Sequence, residues 1–126
     1  MKKARTIAAL NALAHESRLD VFRMLVQSGP AGLPAGEIGA RLGVPSPTLS
    51  FHLSHLKHAG LVTSRRDSRS IIYSADYKAM NDLISYLMEN CCRGDAEQCV
   101  PAECKPSRDT NVKQPLRTAE KGKVSA

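Results

Sequence analysis

Residues 35–60 read AGEIGARLGVPSPTLSFHLSHLKHAG, and this stretch decides the fold. Ala35–Leu42 has the spacing of a short helix, and Gly43 stands where left-handed helix caps favour glycine. A second helix follows the Val-Pro-Ser-Pro run and ends near His58. A short helix, a tight turn and a second helix are typical of a helix-turn-helix arrangement.

The second helix is predicted to have two different faces, with Ser46 as its N-cap and Pro47 as its first residue. Leucines recur at intervals of four and three residues along its core face, at Leu49, Leu53 and Leu56. The opposite face carries no acid, so phosphates and base edges can approach it, and Phe51 can touch a thymine methyl group. The residues of this outward face are Thr48, Ser50, Phe51, Ser54, His55, Lys57 and His58.

A β-hairpin is predicted directly after this helix. Leu61–Arg65 and Ile71–Ser74 have the composition of strands, and the four residues Arg66-Asp67-Ser68-Arg69 have that of a turn. The basic side chains of this hairpin are therefore predicted to hold phosphates or to enter the minor groove, and they are Arg65, Arg66 and Arg69.

Helices are also predicted at both ends of this unit, over residues 4–14, over Glu16–Gln27 and after an Asp76 N-cap. The last helix carries an apolar stripe that is wider than a small core needs. We therefore expect the first and last helices to form a homodimer interface, with ordinary intramolecular packing as the alternative. The stripe consists of Tyr77, Met80, Leu83, Ile84, Leu87 and Met88.

The net charge of +6 over 126 residues favours polyanionic partners, which include DNA, RNA and anionic membranes. No apolar run approaches the roughly 20 residues that span a bilayer, so no membrane role is expected. The start of the chain imitates a secretion signal, but Ile7, Leu10 and Leu13 have helical spacing, which favours a cytoplasmic protein. The sequence carries neither a phosphate loop nor a nucleophile elbow, so neither an enzyme nor a small-molecule substrate is expected. An RNA-binding or membrane-surface protein is the alternative class.

Four segments in this order resemble the ArsR/SmtB family of metal-responsive repressors: Ala12–Leu19 (ALAHESRL), Gly36–Gly43, Thr48–Val62 and Arg65–Tyr73. The resemblance covers roughly residues 5–90. It implies a mainly α fold with a β-hairpin wing, that is, a winged helix-turn-helix. It also implies a dimeric repressor that binds operator DNA and releases it when a metal or metalloid binds.

The resemblance further implies which residues meet DNA. It places the helix from Ser46 to Lys57 in the major groove, with His52 at the position of the family's recurrent helix histidine. Many family members have a basic residue where this chain has Phe51, so the operator sequence cannot be carried over. A dimer of this kind implies an inverted-repeat operator with its half-sites on one face of the duplex.

The four cysteines lie together in residues 91–104, CCRGDAEQCVPAEC. The segment where the family's familiar arsenic site occurs, residues 33–38, has none. Adjacent Cys91 and Cys92, followed by a glycine-containing loop, allow Cys99 to complete a three-sulfur cup for a soft ion. Trivalent arsenic or antimony takes three such ligands, and the arrangement resembles that of family members that sense arsenite through C-terminal cysteines. Cys104 would be a spare or substitute ligand.

Other uses of these thiols stay open. Zinc or cadmium could take all four sulfurs, although the spacing departs from the short knuckles of structural zinc sites. A redox switch is a further alternative, because Arg93 and a basic surface favour thiol oxidation. The histidines His52, His55 and His58 are predicted to contact DNA rather than to bind a metal.

The sequence thus predicts three parts. Residues 1–90 form the DNA-binding and dimerisation domain, residues 91–104 form the effector-binding segment, and residues 105–126 form a disordered basic tail.

Overall fold

The computed structural model describes residues 1–94, and the chain divides into two units, residues 1–89 and 90–126. Within the described part of the first unit there are five helices and three strands, and a single 3-10 turn, Cys91–Gly94, belongs to the second. The predicted winged helix-turn-helix is confirmed. In chain order the elements are α1 (Lys3–Leu13), α2 (Glu16–Ser28), β1 (Leu33–Pro34), α3 (Ala35–Leu42), α4 (Ser46–His58), β2 (Val62–Asp67), β3 (Ser70–Ala75) and α5 (Tyr77–Leu87).

The core lies between α2, α4 and the sheet. The three leucines predicted to face inward from α4 are buried, as are three apolar residues of α2. Full burial of each such side chain contributes roughly 1.5–3 kcal/mol of hydrophobic free energy. The core residues of these two helices are Val21, Phe22, Leu25, Leu49, Leu53 and Leu56, and Ile38, Leu61 and Val62 extend the cluster.

The turn between α3 and α4 confirms the prediction for Gly43 but not those for Ser46 and Pro47. Gly43 is left-handed at φ 68°, as predicted, and its N–H bonds to the carbonyl of Gly39, while Pro47 is the second rather than the first residue of α4. Ser46 is not the N-cap of α4. Pro45 has that position, because its carbonyl accepts the N–H of Leu49 at 2.9 Å, and Ser46 lies in the first helical turn.

The wing, defined as the hairpin β2–β3, is longer than predicted. Asp67 pairs with Ser70, so the turn contains two residues, Ser68 and Arg69, rather than four. The sheet has a third strand that the sequence analysis did not predict, because β1 is too short to show an alternating pattern. β1 pairs antiparallel with β3, which gives the strand order β1-β3-β2.

The two terminal helices of this unit leave apolar side chains uncovered. The predicted Asp76 cap of α5 is confirmed, since its Oδ1 accepts the N–H of Ala79 at 3.0 Å. Leu83 packs into the core, whereas Leu87 is 59% exposed. On α1, Ile7 is 54% exposed and Leu10 is exposed as well. No helix within residues 1–94 is long and apolar enough to cross a membrane.

Gly32 offers a test of how β1 joins the sheet. It has φ +74°, and a Cβ there would lie 2.3 Å from the backbone oxygen of Tyr73. We expect Gly32→Ala to lower the free energy of unfolding in urea by about 2 kcal/mol or more, because backbone must shift. Gly36→Ala is the matched control, since a Cβ at Gly36 meets nothing within 4 Å. Equal stabilities of the two variants would contradict this account of the β1–β3 junction.

Candidate DNA interface

The outer surface of α4 is a continuous polar and aromatic strip without an acidic side chain. We define it by the exposed residues Ser46, Thr48, Ser50, Phe51, Ser54, His55, Lys57 and His58. Each of these residues was predicted to point outward or to meet DNA, and each lies on the surface. Because the leucines of the opposite face are held in the core, this strip points away from the domain.

Phe51 is the most unusual member of the strip. Its ring is 64% exposed, although an aromatic ring of this size normally gains free energy by burial. The ring of His55 lies one turn further along, with its centroid 6.1 Å from that of Phe51 in an edge arrangement. The pair forms an apolar and hydrogen-bonding surface of the kind that contacts thymine methyl groups and base edges.

His52, which was predicted to contact DNA, does not lie on this surface. It is 5% exposed and belongs to the core-facing side of α4, beside Leu49, Leu53 and Leu56. The helical intervals explain this position, since residues 49, 52, 53 and 56 share one face. A buried imidazole at this place supports the helix from behind and does not face a base.

The partner of His52 was missed by the sequence analysis. Arg18 of α2 is 8% exposed, and its Nη1 lies 3.5 Å from His52 Nδ1. The sequence did contain a signal, because Arg18 precedes Val21, Phe22 and Leu25 at the intervals of a buried helix face. A charged residue at a core-facing position indicates a buried polar contact.

Side-chain hydrogen bonds connect the wing to the rest of the domain. Lys57 Nζ of α4 donates to Ser64 Oγ of β2 at 2.7 Å. Arg65 Nη2 donates to the carbonyl of Ala31, in the loop before β1, at 3.1 Å. In the described structure, Arg65 therefore positions the wing, while Arg66 and Arg69 extend from it as exposed cations.

The predicted effector residues are only partly within the described chain. Cys91 and Cys92 lie in the 3-10 turn, with their Sγ atoms 3.2 Å apart. Cys99 and Cys104 lie outside the described residues. Within residues 1–94 no group of three or more histidine, cysteine, aspartate or glutamate side chains is arranged to hold a metal ion.

Known proteins are similar to this chain in both sequence and architecture. Residues 13–65 match a family described as a helix-turn-helix domain. The HTH-type transcriptional regulator YgaV of Escherichia coli is 36% identical over 85 residues, which cover 68% of this chain and 84% of YgaV. An ArsR-like transcriptional regulator from Rhodococcus sp. RHA1 superposes with a TM-score of 0.64 at 26% identity, covering 75% of this chain and 87% of that chain.

This chain belongs to the ArsR family of winged helix-turn-helix transcriptional regulators. Another relative, the transcriptional activator HlyU of Vibrio cholerae, is 34% identical over 87 residues, which cover 67% of this chain and 78% of HlyU. The expected class of DNA-binding regulator is therefore confirmed. In an ArsR-family protein, the outer surface of α4 and the wing tip are the surfaces to test for DNA contact.

Removal of a wing-tip charge tests the phosphate contacts. We expect Arg66→Ala and Arg69→Ala each to weaken binding to all DNA sequences equally. Each variant should lower the slope of log Kd against log salt by about 1 for each bound subunit, because one phosphate contact per subunit is lost. Fluorescence anisotropy across a salt series measures this slope.

The matched control is Lys78→Ala, which removes one positive charge from an exposed position on α5. We expect it to leave the slope unchanged. The same loss of slope in Lys78→Ala would show that net charge, rather than contact at the wing tip, accounts for the salt dependence.

Proposed function

We propose that this protein is a homodimeric repressor that binds an inverted-repeat operator and dissociates when trivalent arsenic or antimony binds its cysteine thiolates. DNA binding is supported chiefly by one observation: the outer surface of α4 has no acidic side chain, and the buried face of α4 fixes this surface beside a basic wing. Helices with this composition and exposure read base edges in the major groove. Repression follows when the bound dimer occupies a promoter.

The proposed contacts divide into two kinds. Phe51, His55 and the hydroxyl side chains of α4 are placed to read base edges, with Phe51 against a thymine methyl group. Arg66 and Arg69 hold phosphates, and these contacts fix the register of the protein on the duplex. His52 supports this surface from within the domain.

The dimer interface is supported by the uncovered apolar residues of α1 and α5. Ile7, Leu10 and Leu87 are each about half exposed, so full burial by a second copy would contribute roughly 1 kcal/mol each. A twofold arrangement of two such chains presents two α4 helices, and this matches the symmetry of an inverted repeat.

A charge on this surface should separate the subunits. We expect Leu87→Glu and Ile7→Glu each to convert the dimer to monomer in sedimentation velocity, because burial of an unpaired carboxylate is costly. Phe51→Glu is the control, since Phe51 is equally exposed but lies on α4. A Leu87→Glu protein that sediments as a dimer would place the interface elsewhere.

The arsenic site is supported by the adjacent sulfurs of Cys91 and Cys92. With metal–sulfur bonds of about 2.3 Å, sulfurs 3.2 Å apart subtend an angle of roughly 90° at a shared ion. That angle is narrower than the tetrahedral angle of zinc and closer to that of a three-sulfur pyramid. Cys99 is the proposed third ligand. Zinc or cadmium binding, and thiol oxidation, are the rival uses of the same residues.

Release is proposed to follow from a change in the dimer. The cysteine pair begins four residues after α5, so a ligand there acts on the chain next to a helix of the proposed interface. A change in that interface alters the distance between the two α4 helices, and only one distance fits the half-sites. Linkage requires DNA to weaken arsenic binding by the same factor by which arsenic weakens DNA binding.

Cysteine variants test the effector. We expect Cys92→Ser to bind operator DNA as tightly as the wild type but to stay bound when arsenite is added, because one ligand is lost. The measurement is fluorescence anisotropy of the reduced protein on its upstream promoter DNA, with separate titrations of arsenite, zinc, cadmium and peroxide.

Cys104→Ser is the matched control, and the three-sulfur site predicts that arsenite still releases it. Loss of release in both variants would favour a four-sulfur site. Release of Cys92→Ser at the wild-type arsenite concentration would exclude the three-thiol proposal. Release by peroxide alone would assign the cysteines to redox sensing.

A further inference from the structure

A buried basic contact joins α2 to the back of α4. Arg18 and His52 are both almost completely removed from solvent, and both occupy core-facing positions of their helices. The salt bridges among residues 1–94 are Glu37–Arg41 and Lys78–Asp82, so neither of them neutralises Arg18. A buried guanidinium without an acid nearby must be stabilised by neutral acceptors.

The hydrogen bonds of Arg18 determine which protonation state and tautomer of His52 are compatible with the packing. Arg18 Nε donates to the carbonyl of Ala12, at the end of α1, at 2.7 Å. Its Nη1 approaches His52 Nδ1 at 3.5 Å, the long end of the hydrogen-bond range. Since a guanidinium can only donate, Nδ1 must be the acceptor, which requires a neutral imidazole with its proton on Nε2.

The other groups that face His52 also oppose a positive charge. The ring of His15 lies with its centroid 4.7 Å from that of His52, and His15 Nδ1 accepts the N–H of Ser17 at the start of α2. His55 is on the next turn of α4. Burial, followed by the charges of His15, Arg18 and His55, lowers the pKa of His52 below its ordinary value.

We propose that His52 is a positioning residue whose neutral imidazole holds α4 in its packed orientation against α2. Protonation of His52 disturbs this orientation and weakens DNA binding in acid. Protonation would place two cations in contact in the interior and remove the acceptor that Arg18 uses. This inference rests on the proposed DNA-binding function and adds a proton-dependent control of the same surface. The direct target is the orientation of α4 rather than any base contact.

The sign of the effect follows from the direction of the pKa change. The folded state, with its lowered pKa, binds this proton less well than a free histidine does. The neutral contact is therefore complete above about pH 6.5 and is lost as the pH falls through the lower pKa of the folded state. His55 and His58 lie on the outer surface of α4 and would contact DNA directly, so their contribution to affinity is separate from the support that His52 gives from within the domain.

His52→Gln separates these two effects. The amide oxygen of glutamine can accept from Arg18 but does not titrate. At fixed salt we expect wild type and His52→Gln to bind operator DNA within about threefold of each other near pH 8. Near pH 5 we expect the wild type to be at least about fivefold weaker than the variant. His55→Gln is the control and should keep the acid-dependent loss that His52 causes.

A constant affinity ratio between wild type and His52→Gln from pH 8 to pH 5 would overturn the proposal. A second measurement requires neither DNA nor a variant: NMR titration of the wild-type histidine rings and backbone amides. We expect the amide signals of residues 46–58 to shift with the titration of His52, and titration without any such shift would also overturn the proposal. If the protein does not bind DNA near pH 8 but shows the expected NMR shifts, the proposed function is rejected. The proton-dependent orientation of α4 is then still supported.

Discussion

The packing of α4 against α2 is the constraint on which the rest of the structure depends. Leu49, Leu53 and Leu56 enter the core beside Val21, Phe22 and Leu25, and this burial fixes the rotation of α4 about its own axis. Once that face is buried, Phe51 and His55 can only lie outside. β2 begins four residues after α4, and the Lys57–Ser64 hydrogen bond connects the two elements. The apolar packing of α4 against α2 thus sets both the orientation of α4 and the starting point of the wing.

Within that packing, one side chain connects three helices. Arg18 of α2 bonds to the carbonyl of Ala12 at the end of α1 and reaches His52 on α4. α1 carries part of the proposed dimer surface. A shift of α1 against α2 would therefore change the contacts of Arg18, which help to position α4. Arg18 forms no salt bridge with the carboxylates of residues 1–94, so this contact depends on neutral acceptors, and a neutral imidazole is an acceptor that acid removes.

Leucine periodicity and turn chemistry made most of the fold predictable. The spacing of α4 predicted its buried leucines, Gly43 predicted the end of α3, and Asp76 predicted the start of α5. The misses have physical causes. His52 was assigned to the DNA contact from the family resemblance, although its interval to Leu49 and Leu53 places it on the core face of α4. β1 is only two residues long, and its pairing with β3 depends on contacts that are distant in sequence. Family membership identifies a transcriptional regulator but not its ligand, so the ligand must be argued from the cysteines themselves.

The outer surface of α4 is proposed to read operator DNA from both subunits of a dimer. Hydroxyl-radical footprinting on the upstream promoter DNA tests it most directly, with wild type compared with Phe51→Ala. We expect two protected half-sites whose centres lie about 10 base pairs, or a multiple of that distance, apart on one face of the duplex. We also expect Phe51→Ala to weaken this pattern and to leave nonspecific binding intact. Uniform protection without half-sites, unchanged in Phe51→Ala, would contradict the account.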